Sequence, residues 1–261
     1  MTNTNGGGDS VPITISPKAC EAGSCLPLTK IRMPEAHYLE AGIMPQGVGW
    51  TLTCAKTDVP LFAVTGHAWL PNSAPILKAI TRIASSEPVI LEPSKKGHAL
   101  AVITLSDKGS QGLREDTAGP RASRMIYDTI PLAWQQEFLI ADDYELLRGL
   151  LAELALIHKY DLICTTGGTG IAPRDITPQA TRKMLDLELP GFSQAMLGAS
   201  LTKTPNAIIS RAVCGIIGKC LVINLPGSPK AVSENLAAIL PALGHALEKL
   251  QGDPSDCGAS K

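Results

Sequence analysis

The sequence has few aromatic residues and no excess of charge of either sign. Phe, Trp and Tyr make up 4% of the 261 residues, and 23 Lys and Arg are balanced by 24 Asp and Glu, for a formal net charge of −1. Proteins that bind nucleic acids or anionic membranes need a basic surface, and a stacking platform for single strands needs aromatic side chains. The composition therefore argues against nucleic-acid and membrane partners.

Long apolar runs and regular cysteine spacing are also missing. No uncharged apolar stretch approaches the roughly 18 residues of a membrane-spanning helix. The first residues carry neither the basic region nor the apolar core that is typical of a secretory signal. The seven cysteines include no CxxC pair, so neither a disulfide framework nor a metal site at Cys20, Cys25 and His37 is favoured. These features predict reduced thiols and a cytoplasmic location.

The chain divides into two regions with different sequence patterns. Residues 1–97 contain short β-like runs broken by Gly and Pro, with a disordered leader expected over residues 1–30 and a short helix over residues 75–84. In residues 98–261, apolar strands alternate with helices, which is typical of α/β domains. We predict a three-layer α/β domain there, with a mainly parallel sheet and helices on both faces. An N-terminal extension with short β elements and unknown role precedes it.

Small and polar residues follow each predicted strand of the second region. Because the carboxyl ends of parallel strands meet at one edge of a sheet, the residues just beyond them are expected to form a ligand site. These residues are Ser106 and Asp107, then Asp142, then Gly167, Gly168, Thr169, Gly170 and Asp175, and finally Pro226, Gly227 and Ser228. Their convergence is stronger evidence for a site than any one of these turns.

Each of these features also has a structural interpretation, and the residues alone leave both open. The glycine-rich turn lets backbone N–H groups approach an anion closely, but it also suits a simple tight turn. Ser228 fits a phosphate site at a helix start or an ordinary N-cap. Asp142 fits either a Mg²⁺ ligand or an N-cap with Glu145 in a capping box, and Asp175 could stabilise the turn before Thr177, the predicted N-cap of a helix over residues 178–187.

Seven short segments carry a family resemblance by their order and spacing: Ser106-Asp107, residues 115–120, Asp142, residues 165–175 with Thr177-Pro178, residues 188–192, Ser210-Arg211 and residues 224–230. Through them, the chain from about residue 99 to 250 resembles the molybdopterin adenylyltransferase family of the MogA/MoaB type, which also occurs as the G domain of gephyrin.

The resemblance implies a step of molybdenum cofactor biosynthesis. AMP would pass from ATP to the terminal phosphate of molybdopterin, giving adenylyl-molybdopterin and pyrophosphate. The family's essential, Mg²⁺-binding aspartates correspond to Asp142 and Asp175. Nucleotide-binding positions correspond to Gly167, Gly168, Thr169, Gly170, Pro226, Gly227 and Ser228, and substrate-binding positions to Ser106, Asp107, Glu188, Ser210 and Arg211. A homotrimer and contact with the molybdenum-insertion enzyme are further implications.

The implied chemistry needs no catalytic histidine. A terminal phosphate has a second pKa of about 6 and is already mostly ionised at neutral pH, so no general base is required. Two other functions remain compatible with the residues. One is a non-enzymatic pterin- or nucleotide-binding module on the same fold, and the other is a nucleotide hydrolase that uses a metal-bound water.

Overall fold

The computed structural model describes residues 11–68 and 74–254, which belong to two compact units. The first unit ends at Ala99 and also includes Ile157–Lys159, and the second consists of Leu100–Leu156 and the chain from Tyr160 onward. Within the described ranges, no helix is long and apolar enough to cross a membrane.

Seven strands of the first unit close into a barrel in the order β1-β3-β2-β6-β5-β4-β7. They are β1 (Ile13–Ser16), β2 (Cys25–Thr29), β3 (His37–Ala41), β4 (Thr51–Cys54), β5 (Pro60–Ala68), β6 (Ala74–Ala79) and β7 (Val89–Ser94). The pairing is antiparallel except between β2 and β3. Alternate residues such as Ile13, Ile15 and Leu52 are fully buried and form the core of this unit.

The barrel corrects two expectations for the first region. Residues 1–10 lie outside the described part, but β1 and β2 occupy much of the expected leader. The predicted helix over residues 75–84 is wrong, because β6 pairs there with both β2 and β5. Strands of four to six residues carry too few alternating positions to be recognised from sequence, and their stability depends on neighbours that are distant in the chain.

A six-stranded sheet forms the centre of the second unit, in the order β11-β12-β13-β10-β8-β9. Its strands are β8 (His98–Leu105), β9 (Leu132–Ile140), β10 (Leu162–Thr166), β11 (Leu187–Glu188), β12 (Cys214–Ile217) and β13 (Cys220–Leu225). The central strand β10 is parallel to both β8 and β13, while β12 is antiparallel to β13 and to β11. The predicted α/β class is therefore confirmed, with a mixed sheet.

Six α-helices accompany this sheet: α1 (Asp107–Ser110), α2 (Ala118–Tyr127), α3 (Tyr144–Ala152), α4 (Thr177–Arg182), α5 (Pro190–Leu201) and α6 (Pro229–Leu250). A π-helical turn, Glu153–Ile157, continues α3, and a 3-10 helix spans Pro205–Ile209. The predicted helix over residues 178–187 is too long, since Leu187 enters β11. Thr177 is not its N-cap, because its hydroxyl donates to the Gly167 carbonyl oxygen at 2.9 Å instead.

The central strands β8, β10 and β13 of the second unit are buried on both sides. Leu100, Val102 and Cys164 share one apolar cluster with residues of α2, α5 and α6. The Asn224 side chain, at a position facing the opposite side, donates to the Thr165 and Thr181 hydroxyls at 3.0 Å each, and Thr181 belongs to α4. Strands buried in this way need continuous apolar sequence, which explains why the sequence analysis recognised them.

The barrel of the first unit buries a histidine that has one unused ring nitrogen. His37 is fully buried, its Nδ1 accepts the Lys18 N–H at 3.0 Å, and its ring meets the Phe62 ring edge-on with centroids 4.9 Å apart. Its Nε2 has no hydrogen-bond partner among the described residues. Burial lowers the pKa of His37 to about 4 and is also the largest cause that lowers the pKa of His67 to about 4.

These lowered pKa values predict that the first unit loses stability in mild acid. The unfolded chain binds a proton near pH 6.5 and the folded barrel only near pH 4, so stability is fully present above about pH 6.5 and falls as the pH drops toward 4. The slope is up to about 1.4 kcal/mol per pH unit for each such histidine. Hydrogen exchange of barrel peptides, corrected for intrinsic rates, measures it. His37→Asn should make the stability of the barrel depend less steeply on pH, whereas the control His245→Asn, at an exposed position, should not change this slope. An unchanged slope in His37→Asn would contradict the explanation.

Candidate active site

A cleft of about 360 Å³ opens where β8, β10 and β13 end. Thr166 of β10 lies opposite Thr104 of β8 and Leu225 of β13, so the turns that follow these strands meet at one place. Seven of the residues singled out from the sequence line the cleft: Ser106, Asp142, Gly167, Gly168, Asp175, Gly227 and Ser228. The structure thus brings together most of the turn residues predicted to meet at this edge.

The other candidate residues do not line the cleft. Thr169, Gly170 and Pro226 belong to the same turns, and Ser210 follows the 3-10 helix Pro205–Ile209. Glu188, on β11, forms an ion pair at 2.7 Å with Arg182 of α4. Arg211 supports the loop that carries Asp175. Its backbone N–H donates to the Thr169 carbonyl oxygen at 2.9 Å, and its guanidinium donates to the carbonyl oxygens of Gly170 and Asp175 at 2.6 and 2.7 Å.

Asp142 is not the N-cap of α3. The helix starts one residue later than predicted, and Asp143 is its N-cap, with Oδ1 accepting the Leu146 N–H at 2.8 Å. Asp142 instead accepts the Asp107 N–H on Oδ2 at 3.1 Å. Its Oδ1 faces the glycine turn, 3.5 Å from where a Cβ on Gly168 would lie. The capping interpretation therefore fails for Asp142, and its carboxylate is left with an oxygen for another partner.

Asp175 uses its carboxylate in a similar way. Oδ2 accepts the Ala172 N–H at 2.8 Å, which stabilises the turn as the sequence suggested. No hydrogen bond to Oδ1 of Asp175 or of Asp142 comes from the described part of the chain. Each aspartate thus engages one oxygen with the backbone and keeps one for a ligand.

The surroundings of Asp142 disfavour its charge in the unliganded protein. Burial is the largest cause that raises the pKa of its carboxyl, and the negative charges of Asp107 and Asp175 add to it. The Asp107 N–H and the Arg174 guanidinium act in the opposite direction. A cation bound beside Asp142 would favour the ionised carboxylate.

The donor atoms at this edge fit Mg²⁺ better than softer metals. They are carboxylate and hydroxyl oxygens, with no Cys or His among the residues that line the cleft. The described residues contain no group of three or more His, Cys, Asp or Glu arranged to hold a metal alone. Mg²⁺ is usually held by one or two carboxylates and completes its shell with water and phosphate oxygens. Asp142 and Asp175, which both line the cleft, could supply these carboxylates to a metal that also binds a phosphate ligand.

Backbone groups form the wall opposite the carboxylates. Gly167 and Gly168 adopt φ values of 93° and 61°, and a Cβ on Gly167 would lie 2.5 Å from the Leu105 carbonyl oxygen. Ser228 caps α6 by accepting the Ala231 N–H at 3.1 Å, as predicted, and it lines the cleft. The start of this 22-residue helix is thereby directed at the site, where its dipole and N–H groups favour an anion.

Asp116 was not among the predicted site residues, although it lies in one of the segments that carry the resemblance. Its Oδ1 accepts the Ala118 and Gly119 N–H groups at 2.9 and 3.1 Å, and its Oδ2 accepts the Thr104 hydroxyl at 2.6 Å. Asp116 therefore ties the start of α2 to the end of β8. An acidic residue just before a helix was the available signal. Arg114, Glu115, Thr117 and Arg174 also line the cleft without having been proposed.

Comparison with known families places this cleft in context. The family model described as "Probable molybdopterin binding domain" matches residues 101–245, which belong to the second unit except for Ile157–Lys159 and include every residue that lines the cleft. The chain belongs to this family. The predicted resemblance is thus confirmed, and we refer to the second unit below as the molybdopterin-binding domain.

Individual relatives agree with the family. The molybdopterin adenylyltransferase of Helicobacter pylori strain J99 is 39% identical over 156 residues, which cover 59% of this chain and 88% of the relative. Gephyrin of Dictyostelium discoideum is 37% identical over 59% of this chain and 23% of its own length. A crystal structure of the molybdopterin biosynthesis enzyme MoaB from Thermus thermophilus matches with 43% identity and a TM-score of 0.55, covering 61% of this chain and 99% of that one.

Gly168→Ala should damage the molybdopterin-binding domain more than a glycine substitution at the same φ in open space. A Cβ at Gly168 would lie 2.5 Å from the buried Thr177 hydroxyl, whereas Gly112, with φ 72°, has nothing within 4 Å. Both changes force a left-handed side chain, which costs about 1–2 kcal/mol. The clash should add about 1–3 kcal/mol for Gly168→Ala alone. Urea unfolding measures both, and equal losses would show that the close contact with Thr177 is relieved easily.

Proposed function

We propose that the chain is a molybdopterin adenylyltransferase acting in molybdenum cofactor biosynthesis. It would transfer AMP from ATP to the terminal phosphate of molybdopterin and release pyrophosphate. One observation carries the proposal: in a domain of this family, Asp142 and Asp175 line one cleft together with the glycine turn and the start of α6, and each has one carboxylate oxygen without a hydrogen bond from the described residues. Relatives at 36–39% identity that are named molybdopterin adenylyltransferase support it.

The difficulty of this reaction is bringing two polyanions together for in-line attack. A terminal phosphate oxygen of molybdopterin forms a bond to the α-phosphorus of ATP, and the bond from that phosphorus to pyrophosphate breaks. The N–H groups of the glycine turn beyond Gly167, whose own N–H is donated to the Leu225 carbonyl oxygen, and those at the start of α6 would hold the nucleotide phosphates. Asp142 and Asp175 would hold Mg²⁺, which supplies positive charge for the phosphates and the leaving pyrophosphate.

The remaining candidates have less direct parts in this proposal. Ser106 lines the cleft, and its Oγ accepts the Gly109 N–H at 3.0 Å, so its hydroxyl hydrogen can be donated to a substrate. Thr169, Gly170 and Pro226 would shape the nucleotide turns, and Arg211 would hold the Asp175 loop. Glu188 and Ser210 would contact only parts of the pterin that extend past the cleft. We also propose that helices cover both faces of this sheet in a three-layer arrangement, with the site at the carboxyl ends of its parallel strands β8, β10 and β13.

Asp142→Asn and Asp175→Asn should each lower adenylyl transfer about 10²–10³-fold, because a lost metal ligand removes roughly 3–4 kcal/mol of transition-state stabilisation. Stability should barely change. Incubation with molybdopterin, Mg²⁺ and ATP, followed by mass analysis of the pterin and a pyrophosphate assay, measures the transfer.

Asp143→Asn is the matched control for this experiment. It alters a neighbouring aspartate outside the cleft lining, and Asn caps helices about as well as Asp, so transfer should stay normal. Near-normal transfer in both cleft variants would contradict the catalytic assignment. Binding of pterin and ATP without pyrophosphate release by the unaltered chain would indicate a binding module instead. ATP hydrolysis without pterin would indicate a hydrolase.

We also propose that the chain forms a homotrimer in the cytoplasm and passes its product to a molybdenum-insertion enzyme. The resembling family is typically trimeric, and Leu201, Ile208 and Ile209 of the molybdopterin-binding domain are exposed apolar side chains near one another in the chain. Multi-angle light scattering of the full chain should give three times the monomer mass. Ile208→Asp should weaken the assembly, and Ile31→Asp, an exposed position in the first unit, should not. A stable monomer at high concentration would contradict the trimer.

A further inference from the structure

Asp107 and Asp142 are joined by two reciprocal hydrogen bonds. The Asp107 N–H donates to Asp142 Oδ2, and the Asp142 N–H donates to Asp107 Oδ1, each at 3.1 Å. Each carboxylate therefore holds the backbone of the other residue. This arrangement fixes which oxygen of Asp142 remains for the cleft, because Oδ2 is engaged and Oδ1 faces the glycine turn.

The second oxygen of Asp107 is engaged as well. Oδ2 accepts the Arg174 guanidinium in a close ion pair. Arg174 directly precedes Asp175 in the loop that Arg211 supports from the other side. Asp107 is thus the one side chain, among the contacts of the described residues, that connects the backbone of Asp142 with the loop of Asp175.

Each carboxylate oxygen of Asp107 thus already accepts a hydrogen bond from within the domain. Asp107 is also absent from the residues that line the cleft. A contribution to global stability would be small, because the side chains of Asp107 and Arg174 are 37% and 65% exposed and exposed ion pairs add little. A function of the contact is better sought in geometry than in stability.

We propose that Asp107 is a positioning residue: by holding the Asp142 backbone and the Arg174 guanidinium together, it sets the separation of the Asp142 and Asp175 carboxylates and hence the affinity of the cleft for a divalent cation. The identity of that cation site rests on the proposed function. Mg²⁺ tolerates little departure from octahedral geometry, so two ligands on separate loops need such a connection.

Variants that break the ion pair test the proposal. Arg174→Met removes the guanidinium, and Asp107→Asn keeps an oxygen for the Asp142 N–H but presents a neutral amide to Arg174. We expect each to weaken Mn²⁺ binding by about 3- to 10-fold, the size of a typical coupling between contacting residues. Electron paramagnetic resonance titration with Mn²⁺, in the presence of ATP with a methylene group between its α and β phosphorus atoms, measures binding without turnover.

The double variant and a conservative variant separate positioning from a general structural effect. If Asp107 and Arg174 act through their mutual contact, Asp107→Asn combined with Arg174→Met should bind Mn²⁺ no more weakly than either single variant. Arg174→Lys should restore part of the affinity because it retains a positive charge. In transfer assays, the loss should appear as a higher Mg²⁺ requirement, with kcat largely recovered at saturating Mg²⁺.

Arg124→Met is the matched control. Arg124 forms an ion pair of similar exposure with Asp128 at 3.0 Å on α2, away from the cleft, and its loss should leave Mn²⁺ binding within about twofold of the unaltered chain. Additive losses in the double variant, or unchanged Mn²⁺ affinity in the single variants, would overturn the proposal. Normal Mn²⁺ binding with weakened molybdopterin binding would also overturn it and make Asp107 a substrate contact. If the unaltered chain binds Mn²⁺ but forms no adenylyl-molybdopterin, the proposed function is wrong while the Mn²⁺ comparison still decides this proposal.

Discussion

The site depends on the parallel register of β8, β10 and β13. Thr166 lies opposite both Thr104 and Leu225, so the chain leaves all three strands at nearly the same height. One residue further on, Gly167 donates its N–H to the Leu225 carbonyl oxygen at 3.2 Å, and its Cα is close to Gly227. A side chain at either glycine would separate these turns. The backbone wall of the cleft therefore exists because three strands end together and two glycines let their turns touch.

The strands and helices of the molybdopterin-binding domain could be predicted from sequence where buried positions require apolar residues. β8, β10 and β13 are buried on both faces, so they appear as mostly apolar runs, and Ser228 followed by Pro229 indicated the start of α6. The predictions that were wrong concern helix N-caps, which depend on single hydrogen bonds. Asp142 and Asp143 are equally good caps in sequence, and only the backbone path shows that α3 begins at Tyr144. Thr177 was predicted as an N-cap as well, but its hydroxyl donates a hydrogen bond to the Gly167 carbonyl oxygen.

The first unit was much harder to predict because its strands are stabilised by distant partners. β1 pairs with β3 and β7, and the latter is more than 70 residues away in the chain. The pattern of Ile13 and Ile15 is too short to identify a strand without those partners. Asp116 was overlooked for a related reason. It accepts a hydrogen bond from the hydroxyl of Thr104, which lies on the preceding strand β8 and is separated from it by a loop.

The closed barrel limits how the first unit can associate with other molecules. Each of its seven described strands has a neighbour on both sides, including β1 with β7, which closes the circle. An incoming extended peptide therefore finds no open row of N–H and C=O groups to lengthen the sheet, a common mode of recognition in proteins with open sheets. Selective binding of a partner by this unit would therefore depend on its side chains and loops. Substitutions can alter these without disturbing the hydrogen bonds between the strands.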